Sequence, residues 1–108
     1  MNEKEAEIFF KENLGSLVRF YPSIDQRPQA GWWCEVVSEC YALWETEFPG
    51  SEIGIGNNVL SCEEVVMFLG YKPFHSGWRV WFLHPNEGVL RTYITSDELS
   101  PKTFSRVT

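Results

Sequence analysis

At 108 residues, with 44% hydrophobic and 16% aromatic side chains, the chain is long enough to bury a core without disulfides or a structural metal, and its composition is that of a folded rather than a disordered chain. No apolar run approaches the roughly 18 to 20 residues that span a bilayer, and the opening MNEKEAEIFF has acids where a secretory signal has a basic region. The net charge of -6 is held by the first half, since residues 1–54 carry ten acids and four bases and residues 55–108 carry five of each.

A single cytoplasmic domain spanning residues 1–108 is therefore expected, with no membrane partner. Between Arg27 and Lys72 there is no basic residue, while seven glutamates fall there, so direct nucleic-acid binding, which needs clustered Lys and Arg, is not expected.

In chain order, Asn2 to Leu14 reads as a helix, with Glu3, Glu5 and Glu7 near its N-terminal end, Lys11 toward the other end and Gly15 as a stop. Ala6, Phe9, Phe10 and Leu14 share one face of it. Leu17 to Tyr21 is a short β-prone run, and Pro22 to Gly31 is a loop. Residues 32–48, WWCEVVSECYALWETEF, fit two periods: a strand face of Trp32, Cys34, Val36, Cys40, Ala42, Trp44 and Phe48, or a helical stripe of Trp33, Val36, Val37, Cys40, Tyr41, Trp44 and Phe48. Length favours a helix, while the density of Trp, Val, Tyr and Thr favours two strands or one long bent strand. Gly54 to Asn58 reads as a turn, lacking the framework or the Lys of a phosphate loop.

Ser61-Cys62-Glu63-Glu64 has the form of a capping box, and a short helix over 62–69 is expected behind it, with Cys62, Val65, Val66 and Leu69 as its apolar face and Gly70 as its C-cap. Trp78 to Leu83 and Val89 to Thr95 flank Pro85-Asn86-Glu87-Gly88 and read as a hairpin, with Gly88 in a left-handed position. Ser96-Asp97-Glu98 then opens a last helical turn that Pro101 helps to end. The expected architecture is α+β: an antiparallel sheet or small, partly closed barrel of four to five strands, with the N-terminal helix and the second short helix.

Gly31-Trp32-Trp33 and Tyr93-Ile94-Thr95-Ser96-Asp97 resemble two landmarks of SH3-like small barrels, a Trp pair opening a central strand and a strand running into a short helical turn. The resemblance implies a barrel architecture. It also matches Trp32 to the Trp that stacks on proline-rich ligands in that family, although Thr95 and Glu98 stand where the family's Pro and Tyr would be.

No catalytic constellation stands out. Cys34, Cys40 and Cys62 form no C-x-x-C and lie on apolar faces, so reduced, buried thiols are expected rather than a thiolate paired with His75 or His84. Glu63 and Glu64 are explained by capping. The two His stand nine residues apart with a strand between them, a poor metal pattern, and neither metal nor cofactor is expected. The aromatic surplus is the remaining signal. Trp32 and Trp33 point to opposite faces of a strand, and a domain this small does not easily bury both faces. A non-enzymatic protein-binding module of inhibitor, immunity or adaptor type is accordingly expected, with a basic partner meeting a face built from Trp32, Trp33, Glu35, Glu39 and Tyr41. The other reading is a small-molecule site or minor enzyme, with a pocket of Trp78, Trp81, His84 and Tyr93 at the hairpin.

Overall fold

The fold is described by a computed structural model over residues 1–22, 32–37 and 54–107. Helix α1, Glu3–Asn13, starts where Asn2 caps it. The Asn2 side chain accepts the Glu5 backbone N–H at 2.8 Å, and the Glu5 carboxylate accepts the Asn2 N–H at 3.2 Å. This reciprocal pair satisfies two donors that a helix start leaves open. Ala6 and Phe10 are fully buried, whereas Leu14, just past the helix, is exposed.

Seven strands follow: β1 Leu17–Phe20, β2 Trp32–Val37, β3 Gly54–Leu60, β4 Val66–Phe74, β5 Gly77–His84, β6 Gly88–Thr95 and β7 Phe104–Arg106. All pair antiparallel in one sheet of order β3-β2-β6-β5-β4-β1-β7, which curls into a half-barrel with α1 as the single helix among the described residues. Strands β4, β5 and β6 form a continuous meander. The flanking strands dock on either side of it, β1 against β4 and β2 against β6.

The sheet is thus larger than the four to five strands expected, and the second helix is absent. Its supposed capping box does form: the Ser61 N–H donates to Glu64 Oε2 at 2.8 Å, and the Glu63 N–H donates to Ser61 Oγ at 3.1 Å. The box closes a turn, after which the chain enters β4 rather than a helix. The apolar run VVMFLGY lacks a clean alternation because β4 carries a bulge: Phe68 pairs with Phe82 and Gly70 with Trp81, leaving Leu69 as the extra residue. The bulge erases the period of two and leaves a stripe that mimics helical spacing. Gly54 to Asn58, expected as a turn, belongs to β3, which pairs with β2 at six of its seven residues. Tertiary pairing overrides the poor strand propensity of Gly and Asn there. Residues 32–37 are the strand that the alternation suggests, while 38–48 lie outside the described residues.

Both hairpins of the meander depend on specific backbone positions. The β4–β5 turn is His75-Ser76, with His75 at φ 51°. Gly77, opening β5, lies so close to β6 that a Cβ would be driven into the Ile94 carbonyl. In the β5–β6 hairpin, Gly88 takes φ 80°, the left-handed geometry expected of it. His84 organises this turn, its Nδ1 accepting the backbone N–H groups of Asn86 and Glu87, each at 3.1 Å. After β6, the Glu98 carboxylate accepts both the N–H and the hydroxyl of Thr95, at 2.9 and 2.8 Å. The closing turn is therefore capped at Thr95, one residue before the expected Ser96.

The inner face of the sheet holds the main core. Phe10 meets the rings of Phe68, Tyr71, Trp78 and Phe104 at centroid distances of 4.9 to 6.0 Å. Val18, Phe20, Cys34, Val80, Phe82, Leu90 and Ile94 extend the core across the strands. Trp81 lies on the outer face with Leu69 and Val89 in a small separate cluster. Among the described residues no helix is long and apolar enough to cross a membrane.

Candidate functional site

The strand period sends Trp32 and Trp33 to opposite faces of β2, and their surroundings differ accordingly. Trp32 turns inward, its ring edge-on to Phe20, and its indole N–H donates to Thr92 Oγ1 at 2.8 Å. Trp33 turns outward and is 69% exposed, beside its cross-strand partner Val59, which is also exposed. Such exposure leaves a large apolar ring largely in water, where most proteins do not leave one.

Strand β2 pairs with β3 at all six of its positions but with β6 only at Glu35 and Val36, although β6 remains paired with β5 as far as Thr95. From Cys34 back to Trp32 the two strands are joined through the Thr92 side chain rather than by ladder pairs. Its hydroxyl accepts the Trp32 indole N–H and donates to the Trp33 carbonyl, both at 2.8 Å. Here lies a groove of about 390 Å³, lined among the described residues by Trp33, Glu35, Arg79, Arg91, Thr92 and Tyr93 together with Trp32 and Cys34.

The outer face of the groove is polar and aromatic. Arg91 forms an ion pair with Glu35 across the β2–β6 register. Arg79 lies over the Phe74 ring, 4.0 Å from its centroid, and Tyr93 meets the same ring edge-on. The Tyr93 hydroxyl is 3.3 Å from Ser76 Oγ. The acidic character expected for this face is offset in the described residues, because Glu35 is bonded to Arg91 and a second guanidinium stands nearby. Glu39 and Tyr41 lie outside the described residues.

Cys34 brings no nucleophile to this groove. Burial pushes its thiol up to about 12, a hydrogen bond with Thr92 only partly offsets that, and the charge of Glu64 raises it further. The thiol stays protonated at neutral pH. Cys62 is likewise a buried free thiol, and Cys40 lies outside the described residues.

The four residues of the other expected pocket do not converge. Trp78 and His84 sit on the inner side of β5, the first packed against Phe10, whereas Trp81 and Tyr93 belong to the outer face. His84 is buried with both ring nitrogens engaged, Nδ1 by the hairpin turn and Nε2 by Glu64 Oε1 at 3.0 Å. Because Nδ1 accepts, the neutral ring carries its proton on Nε2 and donates it to Glu64. Desolvation raises the Glu64 carboxyl, but the hydrogen bonds from His84 and the Ser61 backbone outweigh it and hold the group below its ordinary 4.5. This is a clamp between the β3–β4 and β5–β6 turns rather than an acid–base pair facing a cavity. Among the described residues no three His, Cys, Asp or Glu side chains gather as a metal site would require.

Arg79, Arg91 and Thr92 are groove residues that the sequence did not single out. The alternation of β6 places Arg91 and Tyr93 on one face, but only the sheet order shows that Glu35 lies opposite Arg91. Comparison of the chain with known protein families, with characterised proteins and with solved structures finds no match in any of the three.

Proposed function

We propose that this protein is a non-enzymatic binding module that docks a segment of another protein in the groove between β2 and β6, with Trp33 as its anchor. The observation that carries this reading is the 69% exposure of Trp33 beside a groove with polar groups along its length. An exposed ring on a rigid strand loses little conformational freedom on binding and gains a large contact area, which is why aromatic anchors dominate protein interfaces. Trp32, the anchor that an SH3-like analogy suggests, spends its indole N–H on Thr92 and is the weaker candidate. A small-molecule ligand is the second reading. Its support is the groove volume of about 390 Å³, which lies within the range of such sites.

The test is selection from a displayed library of random peptides against the wild-type protein, the Trp33→Ala variant and the Leu17→Ala variant. Leu17 is an exposed control on the outer face of β1, four strands from β2 and so roughly 19 Å away at about 4.8 Å per strand. Peptides that bind wild type and Leu17→Ala but lose binding to Trp33→Ala support the reading. An empty selection, or binders indifferent to Trp33, overturns it.

A further inference from the structure

Away from Trp33, the outer face of the sheet carries an apolar surface that the strand register builds. Leu17 pairs with Met67, Met67 with Leu83 and Leu83 with Val89, so one row of apolar side chains crosses β1, β4, β5 and β6. Their chain neighbours Val18, Val66, Phe68, Phe82 and Leu90 belong to the core, and the period of two turns the row to the opposite side. Leu17 and Leu83 are 47% and 42% exposed, and Met67 and Val89 are half-buried. Leu14, 45% exposed, adjoins the row at the β4 bulge, where it lines a hollow of about 380 Å³ with Leu69, Gly70 and Tyr71. A sheet face that meets only water carries polar residues, and four strands depart from that rule at the same level.

The charges beside the row say what fits it. Antiparallel pairing carries Arg19 and Glu87 to the same end of the strands, Arg19 two residues beyond Leu17 on β1 and Glu87 two residues before Val89 in the β5–β6 turn. Among the described residues neither side chain has an ionic or hydrogen-bonding partner. Three strand spacings, about 14 Å, keep them too far apart to pair within one chain. A two-fold axis along the strand direction, between β4 and β5, exchanges the two flanks. Met67 then meets Leu83 of a second copy, Leu17 meets Val89, and Arg19 meets Glu87, with each contact made twice. The surface is complementary to itself in apolar character and in charge, whereas a partner of uniform charge would leave one flank opposed.

We infer that this face joins two copies of the chain in a two-fold dimer, with Leu17, Met67, Leu83 and Val89 at its centre and Arg19 paired to Glu87 of the second copy at its rim. Roughly 20 Å by 15 Å of surface meets on each side, well short of the about 1,200 Å² in total at which standard interfaces begin, so the dimer is reversible and forms at high concentration. The Trp33 groove lies outside this face, and either can fail without the other.

The experiment is sedimentation equilibrium of the full chain from about 10 µM to about 1 mM, with a thermal melt on each variant to verify folding. The average mass should rise from the 12.6 kDa of one chain toward twice that value. Leu83→Lys should weaken association about tenfold or more, while Ile8→Lys, the same kind of change at an exposed position of α1, leaves it unchanged. Arg19→Glu and Glu87→Arg should each weaken it about threefold or more at low salt, and the double variant, which restores opposite charges across the axis, should recover the wild-type constant. A chain that keeps the mass of one copy up to 1 mM overturns the inference. So does association that is indifferent to Leu83→Lys or lost in Trp33→Ala, and so does a double variant no tighter than its singles. Co-sedimentation of a monomeric chain with phosphatidylcholine vesicles, lost in Leu83→Lys, would assign the face to a lipid surface and overturn it equally.

Discussion

On the inner face of the sheet, Phe10 sits among the rings of Phe68, Tyr71, Trp78 and Phe104, and the buried residues run without interruption from α1 to β6. On the outer face of the same strands, Arg79 covers Phe74, Arg91 reaches Glu35, and Trp81 is buried in a small cluster with Leu69 and Val89 among the described residues. Among the described residues the Trp81 indole N–H has no acceptor, a defect that costs on the order of 1 to 3 kcal/mol. The contrast separates the face that supplies stability from the face proposed for recognition. The inner face is where apolar area leaves water, and the outer face carries paired polar groups, an unsatisfied donor and an exposed ring.

The largest effect that tests this division is Phe10→Ala. It empties the centre of the aromatic cluster, should cost about 3 to 5 kcal/mol by urea denaturation, and should expose the core. A loss below about 1 kcal/mol would mean that α1 is not what closes the inner face. Gly77→Ala comes next. The added methyl meets the Ile94 carbonyl, so β5 and β6 must shift apart, at a cost of about 1 to 3 kcal/mol in the same measurement. An unchanged midpoint would show that the strands do not approach so closely. Gly88→Val, at φ 80° with open space around it, tests conformation without crowding and should cost roughly 1 to 2 kcal/mol.

A smaller effect is expected at the Glu64–His84 clamp. The folded carboxyl lies below its ordinary 4.5, so its stabilisation is complete above that value and is lost as pH falls through the folded value. Glu64 is partly exposed, which holds the expected worth to under about 1 kcal/mol. Wild type should exceed Glu64→Gln in stability at pH 7, and the two should converge in acid once the pH falls below the folded value. A gap that persists in acid would mean that the clamp does not act through the charge of Glu64. The smallest effect belongs to Trp33→Ala, expected to move the unfolding free energy by no more than about 0.5 kcal/mol. A loss of several kcal/mol would make that ring part of the core and end the contrast between the faces.

How much of this was legible in the sequence depended on whether the determining interactions were local. The N-terminal helix, the β1 run, the left-handed Gly88 and the hairpin around it are set by residues close in the chain, and they could be read. So could the opposite orientation of Trp32 and Trp33, once 32–37 is a strand. The run from Val65 to Leu69 misled because a bulge and a capping-box turn together imitate the start of a helix. Strand β3 was hidden because its Gly and Asn residues are held by pairing with β2 rather than by their own preference. At the groove, Trp33 and Glu35 were identifiable as candidates, but Arg91, Arg79 and Thr92 were not. Their role depends on β2 lying beside β6, a juxtaposition of residues more than fifty positions apart.

The bulge at Leu69 also uncouples chain length from register. Elsewhere in β4, losing one residue would turn every later side chain to the opposite face, exchanging the neighbours of Tyr71 and Lys72. At Leu69 the same loss would leave Phe68 opposite Phe82 and Gly70 opposite Trp81, because the residue removed is the one that has no partner of its own. The strand thus holds one position at which its lineage can gain or shed a residue and keep both faces of the sheet, and what is at stake there is only the packing of Leu69 on Trp81.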